Sequence, residues 1–420
     1  MNILSILTLL KMGENKMFLI VLPILFLIDL ISIYGFLQLF KSKLKNYKIF
    51  TGIVLWSFSI ACYSILAWMF FSHYWPVIPV EFVKIFTITG ILYSIYFPKL
   101  IFISFILLFF VVVGCKRLFG NKTKQRPAYI IFLGSIIYTC VVISMLWGIG
   151  YGRFKLQVIR CEINVPDLPK SFNNLKIVQI SDLHLGTIPN NKQFIEKVVK
   201  TINSEKPDLI FITGDIVNSF SSEILEFIPI FKKLKANHGK YAVLGNHDYG
   251  DYYIWKNISD QLADHKKLLN YFPEMGIKLM QNENAFIKKQ NDTIFIAGIE
   301  NWGEKPYRQE GDLNEALDKI DSNKFVMLLS HDPSFWDLEV RKHKNIKITF
   351  SGHLHGFQLG LKFGNFEWSP FKYIVNHVSG LYENQGQFIY INRGLGAALY
   401  PGRVGVYPEI SVITLKSLKK

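Results

Sequence analysis

Three runs that carry at most one charge, residues 17–40, 49–71 and 128–150, each exceed 20 residues, and they constrain this chain more than any other feature. A hydrocarbon core about 30 Å thick is crossed by roughly 20 apolar helical residues. A fourth apolar run, Ile85 to Cys115, is interrupted by Pro98 and Lys99. Residues 98–115 make the fourth expected span, with 85–97 lying at the interface or extending the same helix. The first apolar stretch, Ile3 to Leu10, is too short for a signal peptide and lacks a basic leader. Asp29, inside the first span, reads either as a functional group or as a group facing a helix partner.

Charge divides the chain near residue 150. Only three of its 32 acids (Glu14, Asp29, Glu81) precede that point, against 13 of its 47 lysines and arginines, so the two parts carry net charges of +10 and +5. Nine of those 13 basic residues fall in two short stretches between apolar runs, 41–48 and 116–126. Under the positive-inside rule both loops are cytoplasmic, which puts the end of the fourth span and everything after it on the non-cytoplasmic side. A soluble nucleic-acid binder would gather its cations on a polar module instead, and +5 over the last 270 residues is modest for a nuclease. Three of the four cysteines lie in or beside apolar runs, leaving no cysteine metal site or disulfide framework.

Beyond residue 150 short β-type runs alternate with helical periodicity. Strands are expected at 176–180, 209–213, 241–244, 293–296, 325–329 and 346–350, and helices at 191–202 and 222–234. The alternation predicts an α/β domain of layered sheets over 151–420, following a transmembrane region over 1–150. Runs at 388–392 and 409–415 follow with little helix between them and predict a second, more antiparallel sheet.

Chemistry gathers where these strands end. The first ends in Ser181-Asp182-Leu183-His184, the second in Gly214-Asp215-Ile216-Val217-Asn218, and the third in Gly245-Asn246-His247-Asp248. Ser330-His331-Asp332 and Gly352-His353-Leu354-His355 follow later strands. In an open α/β sheet the carboxyl edges of strands face one crevice, and Asp, His and Asn suit divalent cations. One such motif occurs by chance; five in order at strand ends do not. Asn218 reads more readily as a turn or cap residue than as a catalytic one, and His73, His238, His265, His343 and His377 have no ligand-like company.

These motifs resemble the calcineurin-like metallophosphoesterase family over about 180–360. Gly356-Phe357-Gln358, Asn392 to Gly396 and Pro408-Glu409-Ile410 extend the likeness to its membrane-attached bacterial branch. Leu354 and Phe357 depart from that branch, which more often has threonine and glycine there. The resemblance implies a layered α/β/β/α sandwich and two divalent metal ions, Mn, Fe or Zn. One ion would be held by Asp182, His184, Asp215 and His355, the other by Asp215, Asn246, His331 and His353, with Asp215 bridging. Hydroxide between the ions would attack a phosphate ester or pyrophosphate bond. His247 would protonate the leaving oxygen, and Asp248 would either hold the His247 ring or cap the next segment. Arg393 would meet phosphate or pair with a surface carboxylate.

The expected protein is therefore a multi-pass membrane phosphoesterase acting on a phosphorylated substrate. Because the link from the fourth span is short, a lipid-linked or envelope phosphate is the expected chemistry, with membrane lipids as partners. A membrane receptor that uses an inactive domain of the same fold to bind a phosphorylated ligand is the competing reading.

Overall fold

A computed structural model describes residues 14–40, 45–71, 79–119, 127–188, 192–303, 308–363, 366–369, 373, 375–398 and 400–417. The chain forms two compact units, one of 1–77 with 87–147 and one of 78–86 with 148–420. Four helices come first: α1 (Glu14–Leu37), α2 (Lys45–Phe71), α3 (Pro79–Leu118) and α4 (Ala128–Gly150). Each is long and apolar enough to cross a bilayer. The third differs from the expected 98–115: it is one helix of 40 residues with Pro98 inside. The helix continues through Pro98 and stays apolar over Val83–Leu118, so 85–97 belongs to the same helix as 98–115. Most of both basic loops, 41–44 and 120–126, lies outside the described residues.

Within the first unit Asp29 is wholly buried. Its carboxylate, on α1, accepts hydrogen bonds from Tyr63 on α2 and from Tyr96 and Lys99 on α3. A lone carboxylate in apolar surroundings is expensive; here one cation and two hydroxyls converge on it.

The second unit contains β1 (Gln157–Val165), β2 (Leu175–Ile180), α5 (Lys192–Ser204), β3 (Leu209–Thr213), the short α6 (Ile228–Phe231), β4 (Lys240–Val243), α7 (Ile258–Glu274) and β5 (Lys278–Leu279). It continues with β6 (Glu283–Lys289), β7 (Asp292–Gly298), α8 (Leu313–Ala316), β8 (Phe325–Leu329), α9 (Ser334–Leu338) and β9 (Ile346–Ser351). The hairpin β10 (Leu361–Phe363) with β11 (Phe366–Trp368) follows, then β12 (Gly380–Asn384), β13 (Gln387–Ile391) and β14 (Glu409–Ser417).

Two six-stranded sheets result, ordered β1-β14-β2-β3-β4-β5 and β12-β13-β9-β8-β7-β6. Strands β2 to β5 run parallel, as do β7, β8, β9 and β13. The sheets face each other across one apolar layer, to which Ile177, Phe211 and Val243 of the first and Ile296, Met327 and Phe350 of the second contribute. The period-2 pleat sends the alternate residues outward. Val178 and Ile210 pack with Val198 and Ile202 of α5 and Phe272 of α7, and Val326 and Leu328 pack with α8 and α9. Four layers, α/β/β/α, follow.

The C-terminal strands do not form a sheet of their own. β13 adds to β9 in the second sheet, whereas β14 enters the first, parallel to β1 and antiparallel to β2. Alternation in a short strand marks which faces are buried but not which edge it joins.

Candidate metal centre

The loops after β2, β3, β4, β8 and β9 meet at the carboxyl edges of the parallel strands. They are laced by backbone bonds: the Asp182 N–H donates to Gly214 O at 2.9 Å, that of His184 to Asp215 O at 3.0 Å, and that of Gly352 to His331 O at 2.9 Å. This brings side chains 171 positions apart within reach, with His184 Nε2 3.0 Å from His355 Nε2.

Local strain accompanies the convergence. Asp182, His184, Asp215, His353 and His355 all have φ between 41° and 71°, a left-handed conformation that costs a non-glycine residue energy and persists where the surroundings impose it. Space is equally tight. A Cβ on Gly352 would sit 1.9 Å from Ser181 Oγ and 2.4 Å from Asp182 Oδ2; one on Gly245 would sit 2.2 Å from Asp215 Oδ1. The glycine before Asn246 thus serves close approach, not an unusual turn, since its φ is −106°.

Two groups of donor atoms emerge, Asp182 with His184, Asp215 and His355, and Asp215 with His331 and His353, each gathered within 4.8 Å. Asp215 belongs to both. Its Oδ2 lies 3.6 Å from His184 Nε2 and 3.2 Å from His331 Nε2, while Oδ1 accepts the His247 N–H at 2.9 Å. Asp182 Oδ1 lies 3.3 Å from His355 Nε2.

A ligand histidine must present a lone pair, so its other nitrogen needs an acceptor. His184 Nδ1 lies 2.9 Å from Asn218 Oδ1, and His331 Nδ1 lies 2.6 Å from Thr213 O. For His353 the outward nitrogen is Nε2, 3.7 Å from Asp332 Oδ2, and Nδ1 turns inward, 3.3 Å from His331 Nε2. His355 differs: its Nδ1 is 3.4 Å from the Arg403 guanidinium, a donor at the far end of hydrogen-bond range and too weak to dictate the ring's proton.

Asn246 offers a further oxygen of metal-ligand type. Its Nδ2 donates to Tyr252 Oη at 2.6 Å, which fixes the amide, while Oδ1 is buried and makes no hydrogen bond among the described residues. A buried orphan carbonyl beside a cluster of histidines and carboxylates has the chemistry of a metal ligand. The donors therefore fit divalent cations.

Electrostatics agree. Burial pushes His184 down to about 3 and holds His353 and His355 below the ordinary histidine range, so these rings stay neutral. Burial would raise Asp215, but the facing His331 and His247 hold it well below the usual carboxylate range. Burial pushes Asp182 up to about 7, with Asp215 adding to the rise.

Asp248 takes a different place from one of the two expected. Its carboxylate accepts the N–H groups of Gly245, Ile216 and Val217 at 2.9, 2.8 and 3.1 Å, caps its own turn and ties the β3 and β4 loops together. The His247 ring is held instead by the Asn218 carbonyl, 2.9 Å from Nδ1, and by Tyr252 stacked on it at 4.0 Å and 12°. The three N–H donors aim the Asp248 carboxylate at the β3 and β4 loops and away from the ring, whose Nδ1 meets Asn218 O instead. Arg393 pairs with Glu409 at 3.3 Å, a buried carboxylate and not a surface one.

Glu223, Tyr252 and Arg403 carry no motif and escaped sequence reasoning. Glu223 is buried and accepts from the N–H groups of Gly186, Asn218, Ser219 and Phe220 and from Asn218 Nδ2, at 2.6–3.2 Å. The one signal in the sequence is its position five residues after Asn218. Arg403 is wholly buried and donates twice to Gly396 O.

Comparison with known proteins agrees with this geometry. Residues 175–357 match the model of the calcineurin-like phosphoesterase family. An uncharacterized metallophosphoesterase of Bacillus subtilis, YkuE, is 32% identical over 64% of this chain and 90% of its own. A zebrafish transmembrane protein with a metallophosphoesterase domain is 28% identical over 74% of this chain and 71% of its own. The UDP-2,3-diacylglucosamine pyrophosphatase LpxG of Chlamydia trachomatis is 27% identical over 62% of this chain and 89% of its own. This chain is accordingly a phosphoester hydrolase, and it belongs to the calcineurin-like metallophosphoesterase family.

Proposed function

We propose that the protein is a membrane-anchored, two-metal phosphoesterase that hydrolyses the phosphate ester or pyrophosphate bond of a lipid-linked substrate on the non-cytoplasmic side. The observation that carries the two-metal reading is Asp215, shared by two donor groups. Asp182, His184, Asp215 and His355 would hold one divalent cation, and Asp215, Asn246, His331 and His353 the other. A bound pair supplies a water deprotonated near neutral pH and a clamp on the phosphoryl oxygens.

The chain's own groups do the rest. Asp215 turns Oδ2 toward both His184 and His331 and uses Oδ1 to hold the His247 N–H, and Asn218 and Thr213 fix the His184 and His331 rings. His247, with Nδ1 engaged by Asn218 O, keeps Nε2 to deliver a proton to the leaving oxygen. The fixed plane imposed by Tyr252 keeps that nitrogen in one place. The lipid-linked substrate is supported by the four apolar helices and by the name of the LpxG relative; the orientation rests on the two basic loops of the sequence.

The test is turnover of chromogenic phosphomonoester and phosphodiester substrates by the full chain in lipid discs, stripped of metal and reloaded with Mn. Turnover restored by metal is expected. Tight metal binding with no turnover on any phosphate ester or lipid pyrophosphate would sink the enzymatic reading.

A further inference from the structure

Most large apolar side chains of the second unit are inside it, and those that are not are unevenly spread. Nine are exposed among its described residues, and three of them, Ile254, Ile258 and Leu262, lie within nine positions at 73%, 64% and 56% exposure. Ile258 and Leu262 stand one turn apart on α7 and so share a face. Leu225, 47% exposed, belongs to the turn 221–227 that packs against the same helix.

The segment is built, not loose. Trp255 Nε1 donates to Gly250 O at 2.8 Å, and Asn257 Oδ1 caps α7 by accepting the Asp260 N–H at 2.9 Å. Phe220, Tyr253 and Trp255 form an aromatic cluster with ring centroids 4.7–5.6 Å apart. The same segment begins at Tyr252, which stacks on His247 and binds the Asn246 amide. An apolar, aromatic surface is thus joined to the candidate centre by one residue.

We propose that Tyr253 to Leu262, with Leu225 beside it and the buried Phe220 supporting it from beneath, docks on the lipid bilayer and sets the centre at headgroup depth, where the phosphate of a membrane-resident lipid reaches it. The inference rests on the membrane-anchored phosphoesterase reading and names the surface that would present its substrate. Chain length favours lipid as the occupant: six residues separate Gly150 at the end of α4 from Gln157 at the start of β1, a reach of about 25 Å when fully extended. Bilayer is the apolar phase to which such a chain is always tethered. Tyr and Trp, with an apolar body and a polar edge, suit the interface. Charge is complementary to anionic headgroups: exposed Lys256 and Lys266 bracket the apolar stripe, with Lys267 beside it. Of the acids nearby among the described residues, Asp251 is ion-paired with Arg308 and Glu226 with Lys192, so Lys256, Lys266 and Lys267 face the two negative charges of Asp260 and of Asp264, which is hydrogen-bonded to Ser221.

The experiment uses the full chain in discs of phosphatidylcholine and phosphatidylglycerol, with the fluorescent residue dansylalanine at position 254. The control carries it at 286, where Phe286 is also exposed but lies on β6 of the other sheet. Blue-shifted emission at 254, quenched by headgroup spin-labelled lipid, with neither effect at 286, is expected. Emission at 254 as water-like as at 286 would overturn the proposal. So would shielding at 254 that lipid quenchers do not reach and dilution abolishes, which would assign the surface to a second copy. In Ile254→Ser/Ile258→Ser/Leu262→Ser, turnover of a disc-embedded diacylglycerol phosphate relative to a soluble chromogenic ester should fall at least tenfold; an unchanged ratio counts against docking. Quenching at 254 in a protein with no turnover on any substrate would sink the phosphoesterase reading while leaving the docking surface standing.

Discussion

His184 Nδ1 lies 2.9 Å from Asn218 Oδ1, and Asn218 is itself held by two hydrogen bonds to Glu223 Oε2, from its N–H and its Nδ2. A buried carboxylate thereby sets a ligand ring through one intermediate. Glu223→Gln places an amide N–H₂ where donors converge and costs about 1–3 kcal/mol of local stability. Mn affinity, measured by titration calorimetry, should fall about 10- to 100-fold in both Glu223→Gln and Asn218→Ala. Unchanged affinity in Asn218→Ala would remove the relay.

Asn246 offers a carbonyl that nothing else uses. Asn246→Ala should lose at least about 100-fold in metal-dependent turnover, more than an outer-sphere change of about 10- to 100-fold, and should weaken one of two metal-binding steps while sparing the other. Tyr252→Phe, which leaves the His247 stack and removes only the hydroxyl to Asn246 Nδ2, should show a milder loss of the same step.

Proton release should accompany metal binding. Against burial, which disfavours the imidazolium, the facing Asp215 carboxylate pulls His331 up to about 10. The metal-free folded state therefore keeps a proton that the unfolded chain loses near pH 6.5. The stability this pair adds is complete below pH 6.5 and lost as pH rises through about 10. A cation replaces that proton, so affinity should rise about tenfold per pH unit between 7 and 9 for each proton displaced. Calorimetry in buffers of different ionisation enthalpy reads the number released; zero would contradict His331 as a ligand.

Asp29 and Lys99 are predicted to stand or fall together. Asp29→Asn strands the Lys99 ammonium among apolar helices and should cost about 3–5 kcal/mol, seen as a lower thermal midpoint in detergent. Asp29→Asn with Lys99→Met should recover most of it. Normal stability but lost turnover in Asp29→Asn would instead give the pair a role in function.

Orientation is read by fusion. Alkaline phosphatase joined after Tyr151 should be active and a cytoplasmic reporter there silent, as the basic stretches 41–48 and 116–126 require. The opposite pattern would reverse the topology.

The sequence by itself determined what is local or periodic. Apolar runs longer than 20 residues are hydrophobic whatever surrounds them, so the four helices were legible, apart from the length of α3 across Pro98. The residues that gather at the centre were legible too, because each follows its own strand end within a few positions: Asp182 and His184 after β2, Asp215 after β3, His331 after β8, His353 and His355 after β9. Tertiary structure decided everything that depends on which strand lies beside which. β14 runs between β1 and β2 because its alternate faces complete two apolar layers at once, a choice no strand-length pattern encodes. The same holds for the shell behind the centre. Glu223 meets the Gly186 N–H from 37 positions away, and Asp248 spends its carboxylate on three N–H groups and leaves His247 to Asn218 and Tyr252. A buried polar group takes whichever partner the fold brings within 3 Å, and that partner is set by packing across the sheets and not by sequence spacing.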